Sequence, residues 1–157
     1  MANLKTNAMR MLETANIVYK VHTYNFDGDY DGNLIADKIG IPAMRVFKTL
    51  VTVAPSKNYY IFVLPVNAAL DLKLAAKSVG EKSVEMIPVK DITKITGYVR
   101  GGCSPIGMKK QYMTVFDLTA KDFETIVFSA GKIGYQIEVN AEKVSEITGA
   151  KFDNIKR

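Results

Sequence analysis

The chain has 157 residues, 48% of them apolar, which suffices for a conventional buried core and fits one compact domain over residues 1–157. Its formal charge of +5 points toward an anionic partner, and no apolar run approaches the roughly 18–20 residues that a membrane-spanning helix requires. The single Cys103 excludes an internal disulfide, and residues 1–13 carry Lys5 and Arg10 without the apolar run of a signal peptide, so a cytoplasmic setting without a membrane partner is expected.

In chain order, Leu4, Ala8, Met11, Leu12 and Ala15 recur at helical spacing behind an Asn3 cap, and residues 17–24 are rich in β-branched and aromatic side chains, which predicts a strand. A loop rich in Asp and Gly follows. Residues 33–39 then read as a short helix stopped by Gly40 and Pro42. Two apolar runs, 49–54 and 59–64, flank Pro55, Ser56, Lys57 and Asn58, which suits a hairpin with a four-residue turn. Leu72, Ala75, Ala76 and Val79 share one helical face ahead of Gly80, residues 83–87 suit a short strand, and Pro88 opens a helical turn that runs to Gly97. Beyond a glycine-rich loop, strands are predicted at 112–116, 125–128 and 136–139, and Asn140 caps a last helix that stops at Gly149. Interleaved helices and strands with a tight central hairpin predict an α/β chain of the α+β type, its mixed, curved sheet flanked by helices.

The segment from Gly101 to Gly107 sets small residues around Pro105, a composition that lets backbone N–H groups approach an oxyanion or phosphate, and equally one that makes a plain turn. Lys109 and Lys110 add charge beside it, while no Walker pattern exists to support triphosphate hydrolysis. Lys48, between Phe47 and Thr49, either guards an exposed strand edge or turns inward to meet a substrate oxygen, carboxylate or phosphate. Residues 129–134 form a second small-residue turn offering Ser129, Gly131 and Lys132. One cysteine and one histidine, His22, build neither a Cys–His pair close in sequence nor a usual zinc site, so neither metal nor cofactor is expected and Cys103 is read as a packed thiol.

Taken in order, these pieces resemble the YbaK family of aminoacyl-tRNA deacylases, which is related to the editing domain of bacterial prolyl-tRNA synthetases. The carriers are His22, Thr23 and Tyr24; Val46 to Leu50; Leu70 to Lys73 with Ala75 and Ala76; Gly97 and Tyr98 leading into Gly101 to Gly107; and Ser129 to Gly134. The resemblance runs nearly end to end and implies a free-standing protein with a barrel-like editing-domain fold, acting on tRNA charged by another enzyme. It also implies cysteine on proline-specific tRNA as substrate. By the same resemblance Lys48, Gly101 and Gly102 are catalytic, and Tyr24, Ser104, Pro105, Gly107, Ser129 and Gly131 bind substrate. Residues 65–69 depart from the family pattern, so Asn67 is not carried as a site residue.

The implied chemistry has the substrate's own thiol attack its ester carbonyl, with loop N–H groups holding the oxyanion at roughly 3 kcal/mol each and Lys48 positioning the substrate. Two other readings remain open: a deacylase for alanine or another small misattached amino acid, since one methylene is worth only about 1–3 kcal/mol, and a non-catalytic tRNA-binding module. The expected partners are the tRNA acceptor end and, transiently, prolyl-tRNA synthetase, with no DNA.

Overall fold

The computed structural model describes residues 4–157. Helix α1 spans Asn7–Thr14, and Thr6 caps it by accepting the Met9 N–H on its side-chain oxygen. The expected Asn3 cap lies outside the described residues. Strand β1 is confined to Lys20–Thr23, shorter than the apolar stretch from residue 17 suggested, because Ile17 turns into the core while Val18 is 86% exposed. Helix α2, Gly32–Ile39, begins behind Asp31, whose carboxylate accepts the Asn33 N–H, and ends at Gly40 in the left-handed region with φ +72°.

The hairpin forms as β2, Phe47–Val53, against β3, Tyr59–Pro65, with register Phe47↔Pro65 through Val53↔Tyr59. Ala54 joins the connection, which is closed by the Ala54 N–H donating to the Asn58 carbonyl. Helix α3, Leu72–Ser78, follows; Ala75 and Ala76 are buried, while Leu72, expected on the same face, is 41% exposed beside its Asp71 cap. Strand β4 shrinks to Glu85–Met86 at the edge of β2, and helix α4 is Ile92–Thr96. Strands β5, Met113–Asp117, β6, Ile126–Lys132, and β7, Tyr135–Val139, precede helix α5, Ala141–Thr148, and a final strand β8, Lys151–Asp153, that no pattern announced. The small residues of 129–134, expected as a turn, instead carry β6 through a bulge between Ser129 and Lys132, so the reversal falls at Ile133 and Gly134.

The strands form two sheets, ordered β1-β7-β6 and β4-β2-β3-β5-β8, the second mixed because β3, β5 and β8 run parallel. A parallel bridge between Val46 and Val127 links them. They do not close into the barrel-like sheet expected. Strand β3 is apolar throughout because both faces are covered: Ile61 and Val63 join the larger core with Phe47, Phe116 and Phe128, and Phe62 and Leu64 join the core beneath α3. A smaller core of Ala36, Val46, Val66 and Val127 seats α2 on the junction of the sheets. No helix among the described residues is long and apolar enough to cross a membrane.

Candidate active site

Beyond the Val46–Val127 bridge, β2 stays with β3 and β6 stays with β7, so the two sheets splay apart like the arms of a fork. A cleft of about 230 Å³ fills the gap, lined by Phe47 to Leu50 from one arm, by Ser129 and its register partner Gln136 from the other, and by Tyr30, Gly101 and Cys103 at its mouth. The Val51 carbonyl accepts from Ile87 N on the β4 side, whereas the Val46 carbonyl accepts from Val66 N on the β3 side. Antiparallel alternation therefore turns the N–H and C=O of Thr49 away from β3, toward the open arm of the fork. The Thr49 Oγ1 is buried without a hydrogen-bond partner among the described residues.

Lys48 is half-buried, and its Nζ donates to the Ala68 carbonyl at 2.6 Å. Of the two readings open from sequence, the inward one holds. Burial lowers its pKa below that of an ordinary lysine, and the negative charge of Asp31 opposes that shift. Ala68 belongs to the 65–69 segment, for which no role was expected; the segment is pinned by Ala68 N to Pro65 O at 3.0 Å and by Arg157 N to Ala69 O at 3.0 Å.

The glycine loop begins where Gly97, φ +85°, ends α4. Gly101 has φ +82°, and an added Cβ would lie 2.6 Å from the Tyr30 ring, so only glycine lets the loop lie flush against that ring. The Gly102 N–H donates to the Val99 carbonyl at 2.9 Å. This corrects the expected pair of donors: Gly102 is committed to a turn, while the amides of Gly101 and Cys103 have no intramolecular acceptor among the described residues. Ser104 and Pro105 are buried beneath the loop. Gly107 packs against α1, where an added Cβ would meet Ala8 N at 2.9 Å. The Tyr98 hydroxyl donates to Ile106 O at 2.6 Å and braces this layer. Burial pushes the Cys103 thiol up to about 11, which keeps it protonated at neutral pH and a poor nucleophile.

Of the other sequence-derived candidates, Ser129 reaches the cleft and accepts the Gly131 N–H on its Oγ at 3.1 Å. Gly131, φ +97°, lies against the Tyr98 ring. Tyr24 sits outside the cleft, in an open neighbouring groove with Phe26, Lys38 and Tyr135, where its N–H donates to the Gly134 carbonyl at 3.0 Å. Tyr30, Thr49 and Gln136 were not foreseen. Gln136 becomes legible only from its register with Ser129, and Tyr30 only from the contact that Gly101 makes with it.

The sequence profile of the aminoacyl-tRNA editing domain matches residues 33–147. An Enterococcus faecalis protein named as a candidate Cys-tRNA(Pro)/Cys-tRNA(Cys) deacylase, EbsC, is 45% identical over 152 residues, covering 96% of this chain and 93% of the relative. The proline–tRNA ligase of Lactobacillus helveticus is 25% identical over 104 residues, 66% of this chain and 18% of the ligase. In fold, the chain is similar to a crystal structure described as a candidate trans-editing enzyme for prolyl-tRNA synthetase, with a TM-score of 0.82, 21% identity and 99% of both chains covered. A hypothetical protein of known structure gives a TM-score of 0.88 at 16% identity, covering 97% of this chain and 100% of that one. With a profile spanning most of its length and a relative this similar, the chain belongs to the aminoacyl-tRNA editing domain family.

Proposed function

We propose that this chain deacylates mischarged tRNA, with cysteine on proline-specific tRNA as its first substrate. Family membership and the name of the E. faecalis relative support the substrate class. The observation that carries the reading is a desolvated lysine, Lys48, in a small cleft that Gly101 and Cys103 of the glycine loop also line with uncommitted amides. In a site shielded from water, a fixed cation and aimed N–H groups stabilise developing negative charge far more than they do in bulk solvent.

The aminoacyl ester enters with its carbonyl oxygen toward the Gly101 and Cys103 amides and its ribose toward Lys48. The substrate sulfur, as thiolate, attacks the ester carbonyl carbon; collapse of the tetrahedral intermediate expels the ribose oxygen, which takes up a proton, and leaves a cyclic thioester and free tRNA. No protein nucleophile is required, in keeping with a Cys103 thiol that stays protonated. Ser129 and Gln136 line the pocket for the amino acid, while Ser104, Pro105, Gly107 and Gly131 shape the wall behind it. The stretch shared with the L. helveticus ligase supports a transient complex with prolyl-tRNA synthetase as the source of mischarged tRNA.

The test is release of labelled amino acid from cysteinyl- and alanyl-tRNA specific for proline, by wild type and by Lys48→Ala. Cysteine release that falls by about 100-fold or more in the variant, with an unchanged melting temperature, is expected. Equal rates in both proteins remove Lys48 from the mechanism. Alanine released faster than cysteine changes the substrate, and tRNA binding without release of either leaves a binding module.

A further inference from the structure

Outside the cleft, the described surface carries a row of aromatic rings interleaved with cations. Tyr24, Phe26 and Tyr135 line the open groove, and Phe26 leads on to Tyr30 with ring centroids 5.0 Å apart. Three rings in the row have a cation over them: Lys38 Nζ lies 6.0 Å from the Tyr24 centroid, Lys132 Nζ 5.9 Å from that of Tyr135, and the Arg100 guanidinium 4.3 Å from that of Tyr30. The row ends at the cleft, because Tyr30 forms its mouth and Ile133, which lines the groove, lies against Gly101. Tyr24, Phe26 and Tyr135 are each half-buried, so each residue keeps part of its surface open to solvent. These rings come from two separate stretches of chain, and only folding brings them to one groove.

We infer that this groove seats the unpaired nucleotides at the 3′ end of the tRNA, their bases stacked on Tyr24, Phe26 and Tyr135, and passes the esterified adenosine across Tyr30 to Lys48. The inference rests on the proposed deacylase reading and adds the path by which the substrate arrives. Stacking on aromatic side chains is tolerant of base identity, and interleaved cations meet the phosphates between the bases, the arrangement expected of a platform for single-stranded nucleic acid. Asp27 lines the groove and is paired with Lys38 at 3.1 Å, and Asp29 and Asp31 lie with Tyr30 and Arg100 in the adjoining recess. A polyanion is repelled by these carboxylates, so the phosphates meet Lys132 beside Tyr135 and then Arg100, the cation of the aspartate recess, where the strand crosses Tyr30.

The test measures fluorescence anisotropy of a labelled single-stranded RNA hexamer ending in CCA, with a blunt RNA duplex of equal phosphate count as comparison, against wild type, Phe26→Ala, Phe26→Tyr and Tyr135→Ala. Phe26→Ala is expected to weaken the hexamer roughly 5- to 150-fold, and Phe26→Tyr to restore it. If Tyr135→Ala fails to fold in a melting experiment, the Phe26 pair decides alone. Hexamer affinity that is equal in Phe26→Ala and wild type overturns the groove, as does a wild type that binds the blunt duplex as tightly as the hexamer. Kinetics give an independent readout: in Phe26→Ala the ratio of kcat/KM for cysteinyl-tRNA to that for cysteinyl-adenosine falls at least fivefold. A wild type that binds the hexamer through Phe26 yet deacylates nothing keeps the groove and ends the deacylase reading. A wild type that deacylates while Phe26→Ala leaves that ratio unchanged keeps the deacylase and ends the groove.

Discussion

Gly101 and Gly107 belong to one loop and share a left-handed backbone, with φ +82° and φ +78°, yet they should respond differently to a methyl group. Adopting that conformation costs a non-glycine residue about 1–2 kcal/mol at either position. At Gly101 the new Cβ meets the Tyr30 side chain, which can swing away; at Gly107 it meets the backbone of Asn7 and Ala8, at 3.0 and 2.9 Å, which cannot. Gly107→Ala should therefore lower the melting temperature well beyond Gly101→Ala, whereas Gly101→Ala should lose deacylation out of proportion to its stability. Thermal melts beside kcat/KM for the two variants check this, and equal melting temperatures would contradict it. The residues alone left Lys48 open between an edge lysine and an inward one, and the glycine loop open between a turn and an anion cradle; only the family resemblance singled out Lys48 and Gly101. Thr49, Ala68 and Tyr30 were not legible in the sequence, since nothing in a threonine, an alanine or a loop tyrosine announces an orphaned hydroxyl, a carbonyl beneath a lysine or a ring beneath a glycine.

Among the elements, those with chemical end-markers were read well. Gly40 and Gly149 stop α2 and α5 in left-handed conformations, Asn140 caps α5 by accepting the Lys143 N–H, and the Pro55–Asn58 turn sets the β2–β3 register. Where an element is held only by its neighbours, the sequence was mute: β8 is three residues whose pairing with β5 is entirely long-range, and β6 runs through small residues because a bulge absorbs them. One such long-range tie joins β1, β6 and β7 to the turn ahead of β2. Glu138 accepts from the Thr125 hydroxyl at 2.6 Å and from Arg45 at 3.1 Å, and pairs with His22 at 2.8 Å. Thr125 first, then His22, holds its carboxyl below the ordinary value of 4.5. A lowered folded-state pKa gives stability that is fully present above pH 4.5 and is lost as pH falls through the folded value. Glu138→Gln should cost about 2 kcal/mol at pH 7, and its deficit against wild type should shrink as pH drops from about 5 to about 3. Melting curves across that range test it; a deficit independent of pH would show that the charge contributes nothing.

For the whole molecule, a net charge of +5 says only that polyanions are attracted; the inferred groove gives them a place. With Lys132 and Arg100 each meeting one phosphate, the slope of log affinity against log salt for a single strand should be about −1.4, so a fourfold rise in salt weakens hexamer binding roughly sevenfold. Anisotropy titrations at several salt concentrations measure it, and a flat response would mean that stacking alone holds the strand.

The bridge between Val46 and Val127 carries one further consequence. The bridge brings the two strands together at one point, beyond which each keeps to its own sheet, so the main chain frames the gap that the pocket occupies. Replacing Ser129 or Gln136 would change the lining between the two arms and leave that main-chain frame in place.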